Sequence, residues 1–164
     1  MTPGASAAKP DLPLSAAVAT FVCFALAYFL SALIRAVVAT LAPVFSTELS
    51  LNAADLGLLA GAYFVGFAST QLPLGSALDR FGAKRVLLGF LTLAVVGCGF
   101  FAQAQTFAGL IAARVLVGMG VSACLMAPMT FFRWHYTARA QMRAASWMLM
   151  TGSLGMVAST LPVQ

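Results

Sequence analysis

The stretch Gly75-Ser-Ala-Leu-Asp-Arg-Phe-Gly-Ala-Lys-Arg85 separates two long apolar segments of the chain. It contains one acid and three bases, in a protein of which only 8% of the residues are charged. A connection this short must reverse the chain and hold its charges at the edge of a nonpolar medium. Helices satisfy their own backbone hydrogen bonds in lipid, so they are the structure expected on both sides of it. The stretch therefore predicts a compact turn between two membrane-spanning helices.

The composition of the whole chain indicates that lipid is its main solvent. The sequence has 164 residues, is 62% hydrophobic and has a mean hydropathy of +0.97, whereas soluble domains are about 45–50% apolar and about 25% charged. The net charge of +5 lies mostly in connections beside apolar segments, which favours an orientation signal over nucleic-acid binding. No catalytic triad, metal-ligand cluster or phosphate-binding loop is present, so we expect no enzyme, no metal and no cofactor.

Five apolar runs are long enough to cross a bilayer, which takes about 20 residues of helix. The expected helices are residues 15–42, 53–78, 84–104, 107–132 and 144–163. Residues 1–14 are expected to form a disordered cytoplasmic tail, and residues 15–164 one N-terminal transmembrane domain. Because the chain stops as the fifth run ends, we expect a protein that is truncated before a sixth helix.

Lys and Arg residues in the connections indicate the orientation of the chain, because cytoplasmic connections carry an excess of them. The connections after the first and third runs contain none. The tail and the other two connections contain Lys9, Arg80, Lys84, Arg85, Arg133, Arg139 and Arg143. We therefore expect a multi-pass protein of the cell inner membrane whose N-terminus is cytoplasmic.

Arg35 and Arg114 are the two charges that lie deep inside apolar runs. Each is eight residues from the outer end of its run, marked by Pro43 and Thr106, which is about 12 Å along a helix. A central arginine costs about 2.5–3.5 kcal/mol, so it usually faces a cavity or a partner. No acid lies equally deep. The guanidinium groups are expected to meet an anionic substrate, an acid elsewhere in the protein, or backbone carbonyls and water.

Other residues are candidates for a pathway or for helix packing. Tyr28, Tyr63 and Gln71 interrupt apolar runs and are candidates to line a substrate pathway, with ordinary packing as the alternative. Small residues let membrane helices approach closely. On this ground we expect helix contacts at Gly57, Gly61, Gly118 and Gly120.

These features together resemble the major facilitator superfamily of transporters. The family's connection between helices 2 and 3 carries Gly-x-x-x-Asp-Arg-x-Gly-x-Lys/Arg-Lys/Arg. It stands here as Gly75, Asp79, Arg80, Gly82, Lys84 and Arg85. A second family motif on helix 4, Arg-x-x-x-Gly-x-Gly, stands as Arg114, Gly118 and Gly120. The resemblance implies an all-α helix bundle, of which this chain holds about five of the usual twelve helices.

The resemblance also implies a function. Such a carrier moves a small solute by alternating access, and its Asp79 cluster acts as a cytoplasmic gate. Helices 1 and 4 line the central cavity, and a pair of arginines there resembles carriers of organic anions. The substrate-binding candidates are therefore Arg35, Arg114, Tyr28, Tyr63 and Gln71. The implied partners are the lipid bilayer, an anionic solute and the missing C-terminal half.

Two alternatives stay open beside the carrier. One is a non-transporting membrane scaffold or degenerate fragment. The other is a drug/proton antiporter, although the fifth run lacks the Gly-Pro motif common in such antiporters of the family. The absence of an acid deep in any run also weakens this second alternative, because proton coupling normally needs one.

Overall fold

The computed structural model describes residues 13–48 and 50–160. These residues form seven helical segments and no strand, so the expected all-α fold class is confirmed. Residues 1–12 of the expected tail and residues 161–164 lie outside the described part. The segments are α1 Leu14–Glu48, α2 Ala53–Ser69, α3 Gln71–Phe81, α4 Ala83–Gln103, α5 Phe107–Val121, α6 Ala123–His135 and α7 Ala138–Ala158.

Three helical stretches are long and apolar enough to cross a membrane: Ser15–Val37, Ala83–Gln103 and Phe107–His135. The bent pair of α2 and α3 makes a fourth if it is counted as one span. Among the described residues, α7 does not meet the same criterion, because Arg139, Gln141 and Arg143 occupy its first two turns. A crossing by α7 therefore stays a prediction.

Two helix ends differ from the sequence-based prediction, and local hydrogen bonds give the reason. The first helix was expected to stop at Ala42, yet α1 continues through Pro43 to Glu48. A proline inside a helix removes one hydrogen bond and kinks or breaks the helix, yet the helical segment continues past Pro43. The Thr47 hydroxyl closes its last turn onto the carbonyl of Val44 at 2.9 Å. The last helix starts at Ala138 instead of residue 144, because Thr137 caps it by accepting from the amide of Ala140.

Two of the expected continuous helices contain a break. The second breaks at Thr70, where α2 and α3 meet at 42°, and it ends at Phe81 instead of residue 78. Pro73 supplies the cause, because it cannot donate to the carbonyl four residues earlier. The Thr70 hydroxyl oxygen lies 2.9 Å from the carbonyl oxygen of Phe67. The fourth is interrupted at Ser122, whose amide bonds the carbonyl of Met119 three residues earlier, but Ser122 keeps helical backbone angles and α5 and α6 continue as one span to His135.

Helix α5 lies at the centre of one half of the bundle and packs against α2 and α4, while α1 packs against α7. Glycines on α5 allow it to pack closely against α2 and α4. A Cβ at Gly118 would overlap the carbonyl of Tyr63 on α2, and one at Gly120 would overlap the backbone of Ala94 on α4. The expected packing at Gly57 and Gly61 is not found within the described chain, since nothing lies within 4 Å of a Cβ at either position.

The close contact of α2 is made instead by Gly66, where a Cβ would overlap the carbonyl of Val115. The Gly57–Gly61 spacing carries the same local signal, but no described residue lies within 4 Å of a Cβ at either position. Spacing identifies a small-residue face, and only the fold decides which such face meets a neighbour.

Candidate functional site

Arg114 lies at the junction of four helices and is almost completely buried, with 4% of its surface exposed. Its two terminal nitrogens donate to carbonyl oxygens on α1, Nη1 to Ile34 and Nη2 to Arg35, each at 3.4 Å. The guanidinium carbon lies 5.3 Å from the ring centre of Tyr63 and 5.8 Å from that of Phe101. Three kinds of partner were expected for this guanidinium from the sequence, and the structure shows one of them, the backbone carbonyls. Two aromatic rings also lie beside it.

Arg35 lies on α1 at the level of Arg114, as the shared carbonyl contact shows. Its side chain is only half-buried, and its Nε is buried without a hydrogen-bond partner. Within the described residues no carboxylate forms an ion pair with either arginine. The two residues thus share one level of the bundle while their surroundings differ, since Arg114 is enclosed by helices and the side chain of Arg35 is more open.

Tyr63 connects the two arginines. It is 2% exposed, and the charges of both Arg35 and Arg114 lie within range of its hydroxyl. Ser31, a buried residue one turn before Arg35 on α1, interacts with the side chains of Tyr63 and Cys124. Ser31 belongs to no motif of the sequence, and its helical spacing of four from Arg35 is the one local signal that links it to the site.

The remaining pathway candidates, Tyr28 and Gln71, lie elsewhere. Tyr28 is half-buried on α1, seven residues before Arg35 and so on the same helical face. A Cβ at Gly152 on α7 would overlap its ring. Gln71 is the first residue of α3, beside the bend at Thr70. The structure describes no contact between Gln71 and either arginine, so these five candidates do not form one cluster.

The motif from Gly75 to Arg85 forms the end of α3, a one-residue turn and the start of α4. Gly82 makes the turn with φ +78° and ψ 158°, a conformation that glycine adopts and other residues avoid. Asp79, Lys84 and Arg85 are exposed and form no ion pair with another described residue. The guanidinium of Arg80 lies 5.2 Å from the ring centre of Phe81.

Gly75, at the other end of this motif, is exposed, and nothing in the described chain lies within 4 Å of a Cβ there. No helix among the described residues therefore packs closely against Gly75. The charged turn and Gly75 present one open surface, and its acid and bases are not neutralised by the part of the chain that the structure describes.

Comparison with known families identifies the chain. Residues 24–162 match the profile described as the Major Facilitator Superfamily. The chain belongs to the Major Facilitator Superfamily. Proteins of this superfamily are multi-pass membrane transporters and not enzymes, and they act within a lipid bilayer on small molecules. No solved structure matches the chain.

Three curated superfamily relatives illustrate the range of similar proteins. The hexuronate transporter of Bacillus subtilis is 33% identical over 52% of this chain and 20% of its own length. The 4-hydroxybenzoate transporter PcaK of Pseudomonas putida is 36% identical over 62% of this chain and 22% of its own. The multidrug resistance protein MdtL of Escherichia coli is 29% identical over 56% and 23%. The chain thus spans about a fifth of the length of these relatives.

Proposed function

We propose that this chain is the N-terminal part of a secondary active transporter that moves a small organic anion across the cell inner membrane by alternating access. The observation that carries this proposal is Arg35, a half-buried cation with an unpartnered buried Nε and no carboxylate partner among the described residues. An arginine held at membrane depth needs a compensating charge or dipole. An anionic solute that enters and leaves would supply that charge during transport.

The two arginines, both substrate candidates in the sequence, are proposed to have different roles. The hydrogen bonds of Arg114 to the carbonyls of Ile34 and Arg35 hold α5 against α1. Arg114 is therefore a positioning residue, which fixes the depth and rotation of α1. Arg35 is the residue proposed to touch substrate, and Tyr28, on the same face of α1, is proposed to line the route to it. Tyr63 supports both arginines from α2.

The relatives support an acidic substrate. Hexuronates and 4-hydroxybenzoate are carboxylates at neutral pH, and they are the solutes named for two of the three relatives described above. The planar guanidinium of arginine pairs with a carboxylate through two parallel hydrogen bonds. A monocarboxylate is therefore the substrate class that Arg35 fits best.

The charged turn supports a gate at the cytoplasmic side. The orientation proposed from the Lys and Arg distribution places Asp79, Arg80, Lys84 and Arg85 in the cytoplasm, with the N-terminus. Asp79 is exposed and has no ion-pair partner among the described residues, so it is available to a part of the transporter outside this chain. We propose that it pairs there with the other half of the carrier when the cytoplasmic side is closed.

Uptake measurements on the full-length carrier in proteoliposomes test this function. Arg35→Gln should abolish uptake of radiolabelled 4-hydroxybenzoate or galacturonate, while Arg35→Lys should retain part of it at a raised KM, because lysine keeps the charge and loses the paired hydrogen bonds. Arg139→Gln, which removes an exposed cation near the start of α7, is the matched control and should transport normally. Normal uptake by Arg35→Gln would overturn the assignment of the anion site.

A drug/proton antiporter is the second candidate function, and the similarity to MdtL favours it. The two functions differ in the charge of the substrate. An antiporter for cationic or neutral drugs should lower the accumulation of ethidium in cells that express the full-length carrier, and it should not need Arg35. Ethidium efflux that survives Arg35→Gln would favour the antiporter, whereas a membrane scaffold would show neither activity.

A further inference from the structure

An open groove of about 330 Å³ lies between the N-terminal turns of α1 and α7. Small side chains create the space, because Ala17 on α1 and Ala140 and Ala144 on α7 line it. Larger side chains stand beside them, and Trp147 is one of these, with 58% of its surface exposed. The groove is therefore a mostly apolar channel that is accessible from the outer surface of the bundle.

Tyr136, in the connection between α6 and α7, fixes one wall of the groove. Its hydroxyl donates to the carbonyl of Ala17 at 3.4 Å, and its ring stacks on that of Phe132 with 5.0 Å between the ring centres. Further along the two helices, a Cβ at Gly155 on α7 would overlap the carbonyl of Phe29 on α1. The connection and both helices are thus packed together on either side of the groove, which gives the groove a defined shape.

The groove lies where a membrane span begins. The stretch of α1 that is long and apolar enough to cross a membrane is Ser15–Val37, and Val18 and Phe21 line the groove from its first two turns. On α7, Arg143 and Trp147 line it one turn apart, about 7.5 and 13.5 Å from the start of the helix. Tryptophan is enriched at membrane–water interfaces. The groove therefore has a cation near its polar end and apolar side chains deeper in the bilayer.

Arg143 is the one charged side chain among the described residues that line the groove. It is exposed, and it forms no ion pair with another described residue. The planar guanidinium pairs with a phosphate through two parallel hydrogen bonds, and basic pockets between transmembrane helices bind anionic lipid headgroups. A zwitterionic headgroup would bring its own ammonium group close to Arg143, whereas an anionic headgroup would not. The charge of the groove therefore matches an anionic lipid better than a zwitterionic one.

We propose that this groove binds one anionic phospholipid, of the phosphatidylglycerol type, with its phosphate at Arg143 and an acyl chain along Val18, Phe21 and Trp147. An open apolar channel suits an acyl chain, which has no polar groups to satisfy and enters from the surrounding bilayer. The site selects a lipid by its headgroup charge. It goes beyond the proposed transport function and does not depend on it, because it predicts lipid selectivity and not uptake.

Fluorescence of Trp147 measures the occupancy of the groove, because bromine on an acyl chain quenches a tryptophan that it approaches. The purified full-length carrier is placed in phosphatidylcholine nanodiscs that contain a minor fraction of brominated phosphatidylglycerol or of brominated phosphatidylcholine. Subtracting the signal of Trp147→Phe isolates Trp147 from Trp134 and from any other tryptophan. We expect quenching to show a relative affinity of about fivefold in favour of phosphatidylglycerol, the preference that one arginine gives at an anionic surface.

Two pairs of variants test the position of the lipid. Arg143→Gln should remove the preference, whereas Arg139→Gln should keep it, because Arg139 is exposed one turn earlier and does not line the groove. Ala140→Phe fills the groove, leaves Arg143 in place and should remove the preference. Ala138→Phe makes the same substitution at an exposed position outside the groove and should keep it. The alanine pair decides the question if Arg143→Gln does not fold.

Four results would overturn the site. Equal quenching of Trp147 by the two brominated lipids would show that the groove does not distinguish headgroup charge. Loss of the preference in Arg139→Gln as well as in Arg143→Gln would assign it to the general surface charge. A preference that survives Ala140→Phe would place the lipid elsewhere. Absence of quenching by either lipid would mean that another protein segment covers the groove.

Discussion

The hydroxyl of Thr70 donates a hydrogen bond to the hydroxyl of Ser122 across 2.9 Å, and both residues are buried. Each residue stands at the break of a helix, Thr70 between α2 and α3 and Ser122 between α5 and α6. Ser122 in turn donates to the carbonyl of Met119 at 2.7 Å. The bend at Thr70 and the interruption at Ser122 are therefore joined by a polar contact inside an apolar bundle, and we expect the two to be coupled.

A double-mutant cycle measures this coupling. Thr70→Val and Ser122→Ala should each lower the free energy of unfolding by about 1 kcal/mol, since each removes one buried hydrogen bond while the remaining hydroxyl keeps a backbone carbonyl. The double variant should lose less than the sum of the two by about 0.5–1 kcal/mol. Reversible unfolding of the full-length carrier in detergent provides the measurement.

Thr92→Val is the control for this cycle. Thr92 is exposed on α4, and its hydroxyl bonds only to the carbonyl of Leu88 on its own helix. Its substitution should change stability by less than about 0.5 kcal/mol. Strict additivity of Thr70→Val and Ser122→Ala would show that the two breaks are not coupled.

Gly118→Ala and Gly57→Ala are the same substitution, but we expect them to differ in their effect on stability. Gly118→Ala places a methyl group against the carbonyl of Tyr63, and overpacking of this kind costs about 1–3 kcal/mol. Gly57→Ala meets nothing within 4 Å in the described chain, and alanine favours the helix over glycine by about 1 kcal/mol. The first variant should therefore lower the melting temperature and the second should not. Equal melting of the two variants would contradict the close packing of α2 and α5.

The sequence predicted the features of the fold that depend on neighbouring residues. Asn52 and Thr106 are polar residues directly before predicted helices, a position that favours an N-cap, and both accept amide hydrogen bonds of the first helical turn in the structure. The compact turn predicted between Gly75 and Arg85 is made by Gly82, a residue type that tolerates the positive φ it has there. Such features are encoded within a few residues, so a pattern read along the chain is enough to find them.

Features that depend on distant residues could not be predicted in this way. The contact of Arg114 with α1 joins residues 79 and 80 positions apart in the sequence, and no local pattern specifies which carbonyls a buried arginine meets. The bend at Thr70 has a local signal in Pro73, but the apolar run continues through it, and hydrophobicity alone predicts one straight helix. That Arg35 and Arg114 lie at one level was predicted by counting residues along each helix, because helix rise depends only on residue count.

Gly82 provides a test of the charged turn as a structural element. Its φ of +78° and ψ of 158° lie in a region that is almost exclusive to glycine, so Gly82→Ala should cost about 1–3 kcal/mol of stability. Gly89→Ala is the matched control, because Gly89 lies within α4 with nothing near its Cβ position and no positive φ. Thermal melting of both variants gives the comparison. A stable Gly82→Ala variant would mean that the turn relaxes without strain.

Asp79 tests the proposed gate separately from the fold. Because Asp79 is exposed and forms no ion pair with a described residue, Asp79→Asn should leave stability within about 0.5 kcal/mol of wild type. A charge-assisted hydrogen bond to the other half of the carrier contributes about 1.5–3 kcal/mol, so its loss should slow turnover by tenfold or more. Uptake kinetics in proteoliposomes would show this as a fall in kcat.

Asp55→Asn makes the same substitution at the opposite end of this span, where Asp55 accepts from the amide of Asn52 at 3.1 Å and closes the capping box of α2. Asp55→Asn should lower the free energy of unfolding by about 0.5–1 kcal/mol, the lower part of the range measured when a helix N-cap is lost. It should leave kcat unchanged. Asp79→Asn should therefore slow transport without lowering stability, and Asp55→Asn should lower stability without slowing transport. A normal kcat in Asp79→Asn, or an equal fall in Asp55→Asn, would remove the gate from the charged turn and leave it the role of orienting and reversing the chain.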